Sequence, residues 1–285
     1  MTTTTHETTP EPLADSMQAL SNQATWSTPE SRRDLDVNSR FTDPGERAAL
    51  DYAYDHVRSR PILDLGVGTG RTIPLLKPMT DDYRALDFLP DMVEVSRRRY
   101  PDARIDVGDA RDLGTYPAGH FGLVNFSYNG IDAVSAADRR KVFRSVRRVL
   151  AADGLFCFST LNLDGPSYRE RPWRFRIWHG KTVLHGARQV VQQLVGVPQS
   201  MSNWLKIRNA GERGPGYAVA PLSAHRFGLV VHYTTLARQL DELAEEGFER
   251  NGPIFESKRG ARIQPGSDTS QVDWFTFAAR VAGSA

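Results

Sequence analysis

The chain has almost no cysteine. Of its 285 residues only Cys157 carries a thiol, inside the apolar run Leu155-Phe156-Cys157-Phe158. A single cysteine excludes an internal disulfide and any multi-cysteine zinc site. It reads as a small core residue, and the lack of bridges suits a reducing compartment. No apolar run approaches the ~18 residues that cross a bilayer. The start, Met1-Thr2-Thr3-Thr4-Thr5-His6-Glu7, has neither the basic end nor the apolar stretch of a secretory leader. These absences predict a soluble cytoplasmic protein without a membrane partner. A strong charge of either sign is missing as well. The formal net charge is +2, too small to argue for nucleic acid, which is not an expected partner. The seven histidines show no zinc spacing with acids or cysteines, so no metal is expected.

What is present is an alternation. About 40% of the residues are apolar and 25% charged, ordinary for a globular chain. Residues 1–16 are rich in Thr, Pro and Glu and read as a disordered tail. Residues 17–45 hold scattered apolar positions and read as short helices forming an N-terminal lid. Glu46 to Arg58 has a helical apolar stripe. Strands follow at Pro61–Leu65, Tyr83–Asp87, Arg104–Gly108, Phe121–Ser127 and Leu155–Thr160, separated by helices through Leu76, over Asp91–Tyr100 and after the capping box Ser135-Ala136-Ala137-Asp138. Strands alternating with helices predict a parallel sheet covered on both faces.

Residues 161–232 break the rhythm. They predict an inserted cap, with a helix over His185–Val195 and strands over Ser202–Arg208 and Leu229–Tyr233. From Gly165 to Pro215 the sequence carries nine Lys or Arg and two acids, Glu170 and Glu212. A helix near Thr235–Glu246, closed by Gly247, and strands at Phe248–Phe255 and Trp274–Val281 complete the pattern. The α/β domain is therefore expected over 46–160 and 233–285.

The most informative stretch is Ile62-Leu63-Asp64-Leu65-Gly66-Val67-Gly68-Thr69-Gly70-Arg71. An apolar strand ends in an acid, and glycines at alternate positions let the backbone turn tightly and let a ligand lie against it. The spacing Gly-x-Gly-x-Gly differs from the dinucleotide fingerprint Gly-x-Gly-x-x-Gly. Asp64 suits a cationic amino group better than a pyrophosphate, which it would repel.

Asp64 to Gly70 resembles the first motif of class I S-adenosylmethionine-dependent methyltransferases. The resemblance covers 47–160 and resumes at 233–281. It implies a doubly wound, seven-stranded, mostly parallel sheet of the Rossmann-like methyltransferase type and S-adenosyl-L-methionine as cofactor; the inserted cap after strand five, residues 161–232, lies outside the resemblance. It further implies that Asp64, Gly66, Gly68 and Gly70 form the glycine loop, and that Asp87 bonds the ribose hydroxyls. Phe88 and Met92 neighbour the adenosine, and Asp109 and Ala110 lie beside the adenine. Ser127 ends the fourth strand, where methyl transfer occurs. Gly122 departs from many relatives, which carry Asp after Phe.

Transfer from a sulfonium needs alignment and exclusion of water; a base is needed only if the acceptor must lose a proton early. Tyr128 and Asn129 are candidates to orient the acceptor. His225 and His232 are candidate bases, because histidine titrates near neutrality. Trp173, Trp178, Trp204, Phe175 and Tyr168 accompany the cap's arginines and suit an aromatic or anionic small molecule. The expected reaction is methylation of an N or O atom of such a molecule. The alternatives are an RNA or protein methyltransferase docking through the basic cap, a non-catalytic cofactor-binding protein, and an oxidoreductase, which the glycine spacing disfavours. Homo-oligomerisation is left open.

Overall fold

The computed structural model describes residues 13–26, 28, 42–174, 196–209 and 211–283. The expected helix at His185–Val195, most of the tail, and the candidates Phe175 and Trp178 lie outside the described residues. Helix α1 (Leu13–Trp26) and helix α2 (Pro44–Val57) precede strand β1 (Ile62–Leu65). There follow α3 (Ile73–Leu76), β2 (Tyr83–Asp87), α4 (Pro90–Arg99), β3 (Arg104–Val107), β4 (Phe121–Phe126), α5 (Ala136–Val149) and β5 (Leu150–Asn162). The later elements are β6 (Arg213–Gly214), β7 (Tyr217–Leu222), β8 (Leu229–Thr234), α6 (Leu236–Glu245), β9 (Ile254–Glu256), β10 (Arg262–Ile263) and β11 (Trp274–Arg280).

The strand order is β10-β9-β11-β5-β4-β1-β2-β3. Strands β3, β2, β1, β4 and β5 are mutually parallel, and β11 runs antiparallel against β5 and β9. This is the Rossmann-like methyltransferase fold. Its seven expected strands are β1 to β5, β9 and β11. The sheet grows to eleven because β10 folds back on β9, and because a ribbon of β6, β7 and β8 attaches where β8 pairs parallel with the far end of β5.

Period-two alternation places the core on both faces of the sheet. Ile62, Leu123, Leu155 and Cys157 pack with α2, α3 and α4, through Ala53, Val57, Ile73 and Val93. Leu63, Val124, Phe156 and Phe158 point the other way, onto α5 and α6, through Val142, Phe143, Val146 and Leu240. Local signals set the helix starts: Asp43 accepts the Glu46 N–H (2.9 Å), Ser135 that of Asp138 (3.1 Å) and Thr235 that of Arg238 (3.2 Å). The Cys157 thiol is buried, which pushes it up to about 12.

Three sequence expectations change. Residues 13–16 belong to α1 rather than to a tail. Residues 202–207 are helical, not a strand, within a helical stretch at 196–207; spacing over so few residues does not separate the two periods. The strand expected over Phe248–Phe255 shrinks to Ile254–Glu256, Phe248 making only an isolated bridge to Val281. No described helix is long and apolar enough to cross a membrane.

Helix α1 is fastened by polar groups. Gln18 donates to the carbonyls of Asp132 and Val134, and Asn22 to those of Ala133 and Val230 while accepting the Val230 N–H (2.8 Å). Ser21 and Thr25 both donate to the Gly228 carbonyl at 2.8 Å. The helix thus bridges the segment after β4 and the start of β8.

A buried ionic cluster holds the same segment from the other side. Arg139 on α5 is fully buried and donates to Asp132 (2.6 Å), Gln239 (2.8 Å) and Glu242 (3.1 Å). Asp132 also accepts the Thr160 hydroxyl and the Leu161 N–H, each at 2.7 Å. Burial pushes the Asp132 carboxyl up to about 7 against the attraction of Arg139. Arg139→Met is expected to lower unfolding free energy by about 3–5 kcal/mol, since it strands two carboxylates without their cation. Urea denaturation checks this, and a loss under about 1 kcal/mol contradicts the role given to Arg139.

Candidate active site

One cavity of about 1370 Å³ runs along the carboxyl ends of the parallel strands and into the segment before α6. It exceeds the roughly 300–1,000 Å³ of a single-ligand pocket. Its floor begins at the turn after β1, where Gly66 and Gly68 adopt φ of +62° and +55°. A Cβ on Gly66 would meet the Phe126 ring at 2.8 Å, whereas one on Gly68 would have nothing within 4 Å. The space over Gly68 is thus a cradle that any side chain would fill.

Asp87 ends β2 and faces this cradle. Its oxygens accept the Gly68 N–H (2.8 Å) and the Leu89 N–H (2.9 Å), which leaves lone pairs for further donors. Burial raises its carboxyl above the usual range, and the two N–H groups oppose the rise. Phe88, Met92, Asp109 and Ala110 line the same end, Phe88 being largely exposed and Met92 buried. Asp109 accepts the Arg111 N–H (2.9 Å) and an arm of its guanidinium (2.7 Å), while another arm reaches Asp138 (2.7 Å).

Two glycine-motif residues do not line the cavity. Asp64 lies beneath the turn, buried, accepting from Tyr83 and Asn125 at 2.8 Å each and from Thr72. Burial raises its carboxyl, and those donors with nearby Arg71 lower it. The expected contact of Asp64 with a cationic amino group gives way to an internal role, because its oxygens face the neighbouring strands. Gly70 (φ +92°) makes room for Tyr100, whose ring would be 2.5 Å from an added Cβ. Its glycine requirement is set by packing together with its positive φ.

Past the end of β4, Ser127, Tyr128 and Asn129 lie on the cavity wall. Tyr128 and Asn129 are consecutive non-glycine residues at φ +53° and +61°, a conformation costing about 1–2 kcal/mol per residue. The Asn129 N–H is held by Ser159 Oγ (2.7 Å), while Asn129 Oδ1 is buried without a partner among the described residues. Arg71, which directly follows the glycine motif, organises this corner. It forms a two-pronged pair with Glu46 of α2 (2.7 Å for each prong), donates to Ser127 Oγ (2.8 Å) and sits 5.2 Å from the Tyr128 ring centre. Burial raises the Tyr128 phenol and Arg71 pulls it down. Reading the motif as a glycine loop hid Arg71; its position at the head of α3 was the available signal.

The two histidines part company. His225 lines the cavity, in a turn where His225, Arg226 and Phe227 all have positive φ. His232 does not. On β8, Leu229 and Val231 face the cavity, and period two turns His232 to the opposite side, where it is buried and stacked on Tyr217 (5.2 Å, 10°). Burial, with Arg139 and Arg238, holds its imidazole well below the usual range. His232 is therefore withdrawn as a candidate base. Sequence reasoning also missed Asn22, Trp26, Asp43 and Trp274, all of which line the cavity.

Residues 62–154 match a family model described as a methyltransferase domain. A demethylmenaquinone methyltransferase of Thermotoga maritima is 35% identical over 106 residues, 34% of this chain and 42% of that protein; the chain thus matches under half the length of that relative. In the solved 1,6-didemethyltoxoflavin-N1-methyltransferase of Burkholderia thailandensis, which holds 1,6-didemethyltoxoflavin and S-adenosylhomocysteine, the likeness covers 97% of this chain and 93% of that one. The TM-score is 0.54 at 13% identity. A methyltransferase of Clostridium acetobutylicum gives 0.57 at 10% identity, over 88% and 96% of the two chains. At such identities the structures establish a common fold.

The two glycines separate by experiment. Gly70→Ala is expected to lower stability by roughly 1–3 kcal/mol through overpacking against Tyr100, read in thermal and urea unfolding. Gly68→Ala meets no neighbour and carries only the strain of its positive φ. Equal losses in both variants contradict the packing role of Gly70.

Proposed function

We propose, on the premise that this chain belongs to the class I S-adenosylmethionine-dependent methyltransferase family, that it methylates an N or O atom of a small molecule held between the glycine loop and the cap. The observation that carries the reading is the continuity of the cavity. Gly66, Gly68, Asp87 and Ala110 line one end, Leu222, Leu229 and Val231 the other, and Tyr128 lies along it. The cradle over Gly68 and the spare lone pairs of Asp87 fit an adenosine-bearing cofactor. When bound, S-adenosylmethionine supplies a methyl group on a positively charged sulfur, activated for in-line displacement.

The chain's own contribution is alignment. Asp87 would accept from the ribose hydroxyls of the bound cofactor, Phe88 and Met92 would neighbour its adenosine, and Ala110 would offer its backbone N–H with Asp109 beside it. Arg71 holds Ser127 and the Tyr128 ring, so the acceptor meets a wall fixed by an ion pair, a hydrogen bond and a strained turn. Proximity of this kind supplies many orders of magnitude, whereas a general base adds about 10²–10⁴-fold. With His232 turned away, His225 is left as the candidate base for a hydroxyl acceptor, with Asn22 and Trp26 of α1 lining the same cavity.

Two measurements test this reading. Asp87→Ala is expected to weaken S-adenosylhomocysteine binding by roughly 1–3 kcal/mol, about 5- to 150-fold, by calorimetry; unchanged affinity rejects Asp87 as the ribose acceptor. Single-turnover rates with an acceptor found by screening for donor turnover test the alignment. Tyr128→Phe should change little and Tyr128→Ala much, with His225→Ala losing less than about tenfold. A loss above about a hundredfold in folded His225→Ala instead makes it the base.

A further inference from the structure

The far end of the cavity combines an apolar chamber with two cations, Arg171 and Arg174, that have no acidic partner among the described residues. Its wall is built by Trp26, Leu161, Leu222, Phe227, Leu229 and Val231. At the mouth stand Arg171 and Arg174. Arg171 donates to two backbone carbonyls, those of Tyr168 (3.0 Å) and Glu170 (2.6 Å), and to no carboxylate among the described residues. Arg174 is exposed and makes no side-chain hydrogen bond or ion pair among them. Among the described residues other arginines along the fold are paired with acids: Arg71 with Glu46, Arg111 with Asp109 and Asp138, Arg144 with Glu246, Arg238 with Glu245.

The sequence accentuates the contrast. From Arg171 to Gly211 there is no Asp or Glu, yet there are seven Lys or Arg. The stretch is bounded by Glu170, which also lines the cavity, and Glu212. No carboxylate of the 171–211 stretch itself can neutralise Arg171 or Arg174, because the sequence holds none there. Unpaired guanidinium groups beside an apolar wall favour a ligand with an apolar body and an anionic group, since Arg presents a planar fork to carboxylate, sulfonate or phosphate oxygens.

Resting on the methyltransferase reading above, we propose that the acceptor is an amphiphilic anion. Its apolar body lies on Leu222, Leu229 and Val231, and its anionic group is taken by Arg171 and Arg174. The two arginines are specificity-determining residues that hold the end of the acceptor remote from the transferred methyl. Binding energy from that remote end fixes the acceptor's register in the chamber.

Two fluorescent probes with nearly the same aromatic body test this directly: 8-anilinonaphthalene-1-sulfonate, which is anionic, and N-phenyl-1-naphthylamine, which is neutral. The wild-type protein is expected to bind the sulfonate about tenfold more tightly or better, with the preference shrinking as salt rises. Arg174→Gln, which breaks no internal bond, should lower sulfonate affinity several-fold and leave the neutral probe unchanged. Arg174→Lys should restore most of it, and Arg171→Gln with Arg174→Gln should abolish the preference. Val231→Trp, which fills the chamber, should weaken both probes. Equal affinities in the wild type, a preference untouched by the arginine variants, or sulfonate binding that survives Val231→Trp overturns the proposal. Calorimetry with S-adenosylhomocysteine on the same variants reports separately on the methyltransferase reading. Its binding should be unchanged by Arg174→Gln, and its absence from the wild type rejects that reading whatever the probes show.

Discussion

A single buried carboxylate lies where four parts of the sheet domain meet. Asp64 sits on β1 and takes hydrogen bonds from Tyr83 on β2, from Asn125 on β4 and from Thr72 at the head of α3. A carboxylate in such surroundings is costly unless its oxygens are satisfied, so the three donors and the acid specify one another. Their agreement fixes the glycine turn above them, and through Thr72 the start of the helix that Arg71 precedes. The cradle over Gly68, the Asp87 carboxylate and the Arg71 guanidinium thus inherit their places from a residue that lines none of the cavity.

From this centre the site extends through contacts of graded rigidity. Glu46 locks Arg71 by two parallel hydrogen bonds, and Arg71 fixes Ser127 and the Tyr128 ring. The left-handed pair Tyr128–Asn129 is held in place by the Ser159 hydroxyl, and the following turn by the Asp132–Arg139 cluster. Strained backbone persists only where its surroundings over-determine it, and here hydrogen bonds arrive from β5 and α5, with α1 adding its own to residues 132–134.

The parallel half of the fold was legible because alternation of strand and helix is a period that sequence displays. The glycine spacing and the acids after β2 and β3 pointed to residues that line one end of the cavity, for the same reason. Roles that depend on which side a residue faces were less so. His232 looks like a base in sequence, yet the alternation Leu229, Val231, Tyr233 against Val230 and His232 already held the information that it faces elsewhere. Gln18 and Asn22 resemble surface residues and prove buried, because their partners are backbone carbonyls more than a hundred positions away. Arg71 and Glu46 are 25 positions apart, and nothing local announces a pair of that kind. Residues 202–207 carry apolar positions compatible with either period, so local spacing did not separate helix from strand.

The polar fastening of α1 has a consequence for how the chain assembles. Among the described residues the acceptors of Gln18, Ser21, Asn22 and Thr25 outside the helix lie at 132–134 or 228–230, so the partners are separated by 111 to 208 positions in sequence. During synthesis α1 leaves the ribosome early, but its docking site exists only after β8 has been made and paired with the end of β5. At roughly 5–20 residues per second, that is a wait of about ten seconds or more. The amides and hydroxyls of Gln18, Ser21, Asn22 and Thr25 can wait in water at little cost, hydrogen-bonded to solvent until the carbonyls appear. The order of translation and the chemistry of this helix are thus matched, and closing the cavity is among the last steps that the chain can complete.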